Sequence, residues 1–245
     1  MTFRPTLWPT LFTVPAVLIL LGLGTWQLQR LEWKEALIAE RVSRTTAPPV
    51  ALTSETALPG DDLSELQYRR VVATGEFLHD KEMYLAARTF EGRPGHHVVT
   101  PFRLAEPALG ARYILVDRGW VSLDRKAPES RPKGQVRGQV TVEGVVRLPA
   151  EPGWFTPENQ PADNTWYWID VPAMAMHAGL AGAVAPFYLE AAAAEIPGGY
   201  PIGGQTQVRI RNDHLQYAIT WYSLAVALVV IYVVYHLRKP DREPR

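Results

Sequence analysis

His214 opens a long apolar segment, and the residues that follow it recur at helical spacing. Tyr217, Ala218, Trp221 and Ala225 come at three- and four-residue steps, so one helix face would carry an imidazole, two aromatic rings and two small residues. An imidazole above a flat, apolar slot suits a haem. It offers a nitrogen for an axial position and walls for the macrocycle, and nearby cations would serve the propionates. The same residues also describe an interfacial histidine, hydrogen-bonded to headgroups or to Gln27 beside ordinary interfacial aromatics. Spacing alone leaves both readings open.

Other chemistry is poorly represented. The chain has no cysteine and no G-x-S-x-G elbow, so acyl transfer lacks a nucleophile in a recognisable setting. It has neither a Walker A loop nor a G-x-G-x-x-G after a strand, and Gly203-Gly204 reads as a lone turn. A non-enzymatic protein is therefore expected. His96 and His97 are adjacent on a strand start, which sends their side chains to opposite faces and argues against a shared metal. His79 and His177 read as isolated, and His236 as a partner for the C-terminal dipole of the last helix.

Two uncharged stretches near the chain ends must position His214. Pro5–Gln29 and Leu215–Tyr235 each run for about 20 residues or more, enough to span a hydrocarbon core of ~30 Å. The first ends in Gly24-Thr25-Trp26-Gln27 with no small-x-small cleavage pattern, so it reads as an uncleaved anchor. Trp8 and Trp26 would lie about 27 Å apart on an ideal helix, as would Tyr217 and Tyr235, which matches rings at two interfaces. In an antiparallel hairpin, Trp26, Gln27 and Arg30 reach the depth of His214. Asn212 and Asp213 offer the N-cap of the second helix.

The expected organisation is a tail over 1–8, a first transmembrane helix over 9–29, a domain over 30–213, a second transmembrane helix over 214–237 and a tail over 238–245. Arg4, Arg238, Lys239, Arg242 and Arg245 make the tails basic. By the positive-inside rule both termini would be cytoplasmic and the domain periplasmic, in the inner membrane of a bacterium or the mitochondrial equivalent. The whole chain balances 25 basic against 25 acidic residues, so no basic face points to nucleic acid.

Trp33–Val42 would extend the first helix, stopping before Pro48-Pro49. Short β-branched runs then follow at Tyr68–Thr74, Met83–Ala87, His97–Phe102, Tyr113–Val116, Val140–Leu148, Thr165–Val171, Phe187–Leu189 and Gln207–Ile210. Ala47–Gly60, Lys126–Gly138 and Leu148–Pro161 are Pro/Gly-rich and read as loops. One helix is expected over Pro172–Gly179. The fold class is α+β: two transmembrane helices flanking an antiparallel sheet or partly open barrel with one or two covering helices. Arg118-Gly119-Trp120 has two readings. Either Gly119 turns the chain and Trp120 packs in the core, or Arg118 and Trp120 form an exposed anchor for a partner.

Several runs together resemble the SURF1 (Shy1) family of cytochrome oxidase assembly factors. They are Gly24-Thr25-Trp26-Gln27 with Arg30 and Trp33-Lys34; Tyr68-Arg69 with Gly75-Glu76-Phe77; Thr100-Pro101-Phe102; the run from Leu115 to Val121; and the run from Asn212 to Trp221. The likeness covers nearly the whole chain in order. Asp117 and Asp213 depart from it, standing where asparagine is common. The resemblance implies an assembly factor for haem-copper cytochrome c oxidase, working with its catalytic subunit and other assembly factors as the haem a site is built. It also implies haem a binding, with His214 as axial ligand to the iron. Tyr217, Trp221, Gln27, Trp26, Arg30 and Arg211 are the expected surroundings, and Arg118 and Trp120 the expected partner contacts. The alternative is a membrane-anchored scaffold for the nascent subunit that binds no cofactor.

Overall fold

Alternating β-branched and aromatic runs become strands that are buried on one or both faces. The computed structural model describes residues 2–3, 5–56, 63–206 and 212–238. In chain order its elements begin with β1 (Thr2–Phe3), α1 (Leu7–Thr46), β2 (Val50–Leu52), β3 (Arg70–Phe77), β4 (Met83–Phe90), β5 (Arg93–Ala108) and β6 (Ala111–Ser122). They continue with β7 (Val140–Arg147), β8 (Thr165–Trp166), α2 (Val171–His177), β9 (Val184–Ala191), α3 (His214–His236) and β10 (Leu237–Arg238). The chain divides into two compact units, Arg41–Gln207 and the pair Met1–Glu40 with Val208–Arg245.

In the unit Arg41–Gln207, the strands run in the order β2-β3-β7-β9-β6-β5-β4-β8, and β3 also pairs with β5. That pairing closes β3, β7, β9, β6 and β5 into a five-stranded barrel, which removes their free edges. Most ladders are antiparallel. The long connection that includes α2 brings β9 beside β6 in parallel. Two tight hairpins set the register of the central strands, with Phe90 opposite Arg93 and Ala108 opposite Ala111. Their two-residue loops, Glu91-Gly92 and Leu109-Gly110, have positive φ at both positions, as the type I′ turns that match strand twist require.

Side chains alternate between two cores. Val71, Ala73, Phe102, Ile114, Val116, Phe187 and Leu189 fill the barrel. Met83, Leu85, Val99 and Leu115 point the other way and pack on Trp166, Val171 and Met174 beneath α2. The expected strand Thr165–Val171 is split. Only Thr165–Trp166 pairs, because Asp170 caps α2 by accepting from the Ala173 N–H at 3.0 Å. The expected run Gln207–Ile210 lies outside the described residues.

The other unit is a pair of long helices. Their most apolar windows have mean hydropathies of 1.9 and 2.0, yet only 6% and 11% of them are buried. A core helix of a soluble protein would be covered by protein. These two keep their apolar surface outward, which is compatible with a two-pass membrane protein. The short strands β1 and β10 pair antiparallel, Phe3 opposite Leu237.

Candidate functional site

Small and hydroxylated residues join α1 to α3. Gly24 lies under the ring of Tyr222, where even a Cβ would come within 2.9 Å of ring carbons. Ala218 and Ala225 are buried, so the helices approach closely on this face. Thr25 donates to the Leu21 carbonyl at 2.9 Å, and Tyr222 donates to Thr25 at 3.0 Å. Thr10 likewise donates to the Thr6 carbonyl at 2.7 Å and receives the Tyr232 hydroxyl at 2.6 Å. Each threonine satisfies its own helix first and then serves as acceptor for a tyrosine across the gap, so no hydroxyl enters the apolar layer alone.

The same seam ends at His214. Its Nδ1–H donates to Gln27 Oε1 at 2.6 Å. An amide oxygen can only accept, so Nδ1 carries the proton and Nε2 keeps its lone pair. Metal-bound histidines are held in just this way by a partner on the other ring nitrogen. His214 is half-buried, while Tyr217 on the next turn and Trp26 on α1 are exposed; Trp221 is partly covered. The residues present fit an axial ligand with aromatic neighbours.

Other expectations are placed differently. Arg30 stacks over Trp33, 3.9 Å from the ring centroid, so its own helix already engages that cation. Arg211 lies outside the described residues. Asp213 precedes α3, but no side-chain bond caps the helix there. Gln27 is engaged as the acceptor for His214. His236 lies in the last turn of α3, as expected, and serves the carbonyls at the helix C-terminus. It is buried between Phe3, Tyr232 and Tyr235, its Nδ1–H donates to the Tyr232 carbonyl at 2.8 Å, and its Nε2 lies 2.9 Å from Thr6 Oγ1.

In the unit Arg41–Gln207, the expected anchor of Arg118 and Trp120 is corrected by burial. β6 runs straight through Gly119, whose φ is +113, and a Cβ there would lie 1.9 Å from the Ile202 carbonyl oxygen. Trp120 is 0% exposed, with Ile202 paired to its backbone. Gly119 therefore permits a close backbone approach rather than a turn, and neither neighbouring side chain stands exposed as an anchor.

Arg118 instead belongs to a buried ionic cluster around Glu82. Arg118 Nη1 donates to Glu82 Oε1 at 3.0 Å, Arg131 donates to both carboxylate oxygens, and His79 Nδ1 lies 3.6 Å away. Burial pushes the Glu82 carboxyl up. The neighbouring His79, hydrogen bonds from Arg131 and the two arginine charges outweigh it and hold the pKa at about 2. Burial in turn lowers Arg118 to about 10, against the attraction of Glu82. The guanidinium also donates to the Gly134 carbonyl, which ties β6 to the 126–138 loop. His79, read as isolated from the sequence, is thus part of the cluster.

The vicinal histidines point apart, as expected. His97 Nδ1 lies 2.8 Å from Asp117 Oδ2, and Asp117 Oδ1 accepts the Gly119 N–H at 3.0 Å. His96 packs edge-on to Tyr84, and burial, then the charge of Lys126, lowers its pKa. A cleft of about 650 Å³ opens beside β7, lined by Val140, Val142 and the alanines from 191 to 194, with Arg70, Arg118, Glu143 and Glu195 as its charged members. Sequence reasoning missed Tyr222, Thr25 and Glu82. The first two had a signal in the small residue Gly24 preceding Thr25. Glu82 had none, because its partners lie 36 and 49 residues away.

Known proteins share this sequence over most of its length. Residues 14–226 match the SURF1 family. A SURF1-like protein from Monosiga brevicollis is 42% identical over 234 residues, covering 91% of this chain and 85% of that protein. Surfeit locus protein 1 of Mus musculus is 42% identical over 231 residues, with 89% of this chain and 71% of that protein aligned. The Homo sapiens protein of the same name is 42% identical over 233 residues, at 89% and 74%.

Proposed function

Because the chain belongs to the SURF1 family, we propose that it is a non-enzymatic assembly factor for cytochrome c oxidase that holds haem a on His214 while the haem a site of the catalytic subunit is built. Family membership supports the assembly role. The observation that carries the haem reading is that the His214–Gln27 hydrogen bond, which an interfacial histidine would also make, leaves Nε2 open as a ligand at the end of an interhelical seam. Haem supplies an iron with axial positions that accept such a nitrogen. Tyr217, Trp221 and Trp26 offer apolar ring surface beside it, Arg30 follows Gln27 on α1, and Arg211 precedes His214 by three residues in the sequence. The second axial ligand would come from Tyr217 or from a histidine of the client subunit.

The basic tails support cytoplasmic termini and a domain on the periplasmic side, or its mitochondrial equivalent. Protease added to intact spheroplasts should then digest the domain and spare the tails.

The test of the haem reading is the visible spectrum of detergent-purified protein, co-expressed with haem a synthesis, for wild type and His214→Ala. Haem a bands in the first and their loss in the second, at equal protein yield, are expected. Wild type without haem despite ample supply would favour the scaffold that binds the nascent subunit and no cofactor.

A further inference from the structure

Two aromatic side chains stand fully in solvent on the connection between β7 and β8. Trp154 is 101% exposed and Phe155 100%. Both occupy the corner of a turn that Thr156 closes by donating its N–H to the Gly153 carbonyl at 2.9 Å. At the corner of such a turn, side chains project away from the chain that bears them. Pro152 and Pro157 bracket the turn and restrict the backbone on either side.

The base of this loop is pinned. Asn159 Oδ1 accepts the N–H groups of Tyr167 at 2.8 Å and Trp168 at 3.3 Å, while its Nδ2 donates to the Trp168 carbonyl at 3.2 Å. Gln160 and Thr165 exchange backbone bonds of 2.8 and 3.1 Å. Asn164, in the left-handed region, donates to the Glu82 carbonyl at 2.8 Å and accepts from Trp166 Nε1 at 3.1 Å. A fixed base with an uncovered aromatic tip has much of its ordering cost met before any contact forms.

Such a tip is made to be buried in something else. Tryptophan is prominent among residues that dominate interface energies, and two such rings would bury roughly 300–500 Å², a large part of the ~800 Å² that one partner contributes to a standard interface. The charge around the tip selects the occupant. Glu151, Glu158 and Asp163 are acidic, and between Leu148 and Asn164 there is no Lys, Arg or His. An acidic loop is repelled by anionic headgroups, which argues against insertion into a bilayer. It complements an apolar pocket rimmed by basic side chains on a protein.

We infer that Trp154 and Phe155 form a docking finger that enters an apolar, basic-rimmed pocket on the extramembrane surface of the client subunit. The identity of the client rests on the assembly role proposed above. This loop takes the place in recognition that Arg118 and Trp120, both buried, cannot fill.

The experiment is capture of the oxidase catalytic subunit by the tagged full-length protein from detergent-solubilised membranes, comparing wild type with Trp154→Ala/Phe155→Ala and Glu151→Lys/Glu158→Lys. In parallel, a photo-crosslinking p-benzoylphenylalanine replaces Phe155. The aromatic double variant should capture at least about tenfold less subunit at an unchanged melting temperature, since the rings touch nothing in the folded domain. The charge variant should also capture less, and the photo-probe should couple to the catalytic subunit. Equal capture by wild type and the aromatic variant, or a photo-probe that couples only to lipid or to another copy of this chain, overturns the finger and leaves the assembly role standing. No capture by wild type overturns both.

Discussion

The Nδ1 of His214 and the Oε1 of Gln27 are 2.6 Å apart, although the two residues lie 187 positions apart in the sequence. That one bond sets which imidazole nitrogen keeps its lone pair, and it joins candidate site residues from the two ends of the chain. Gln27→Leu removes the acceptor and leaves the hydrophobic seam. Haem affinity, read by titration of the Soret band, should fall by about 10–100-fold, the usual cost of losing a ligand's orienting partner. Gln27→Glu, which retains an acceptor, should recover most of it. His214→Ala should abolish the band in either background.

Gly24 and Tyr222 test the seam independently of any cofactor. Gly24→Val places side-chain carbon where the Tyr222 ring now lies, and the helices must separate. Cysteines introduced at exposed flanking positions of α1 and α3 should crosslink less efficiently in this variant. Tyr222→Phe removes one interhelical hydrogen bond and should cost only about 0.6 kcal/mol.

Glu82 is the single anion facing Arg118 and Arg131 in the buried cluster, among the described residues. Glu82→Gln leaves two buried guanidiniums without a counter-charge, and a loss of about 3–5 kcal/mol is expected in chemical denaturation. Replacing an exposed carboxylate such as Glu158 by Gln should change stability by less than about 0.5 kcal/mol.

Acid should unfold the domain through the same cluster. The folded-state pKa of Glu82 is depressed from 4.5 to about 2, so its contribution is present above the unfolded value and is lost as pH falls from about 4.5 toward 2. The shift corresponds to about 3 kcal/mol. Glu190 acts in the opposite sense. Burial, only partly offset by Arg147, raises its pKa, so its contribution is present at low pH and is lost as pH rises through its folded value. A melting temperature that drops steeply below about pH 4.5 in wild type, with a shallower drop in Glu82→Gln, is the expected result.

Trp120→Ala should behave as a core deletion. The side chain is fully buried and has Phe90 and Tyr200 rings at 5.4 and 6.3 Å, so a loss of about 3–5 kcal/mol is expected. At temperatures where the variant remains folded, capture of the oxidase subunit should match wild type.

What could be read from the sequence alone followed from local physics. Two uncharged runs long enough to cross a bilayer, β-branched segments between turn residues and an imidazole at helical spacing from aromatics are all properties of neighbouring residues. They determined the α+β class, the helices at the chain ends and the choice of His214. The tertiary structure decided what depends on partners far along the chain. The β3–β5 pairing closed the barrel, and packing hid Trp120 and Arg118, whose types suit an exposed anchor equally well. Glu82 gained its arginines and His214 its glutamine across the fold. Trp154 and Phe155, the large apolar residues most open to solvent among the described residues, lie in a stretch legible as a loop, but only the fold shows that nothing covers their rings. Burial and charge pairing are set by what packs against a residue, and a single chain position carries no record of that.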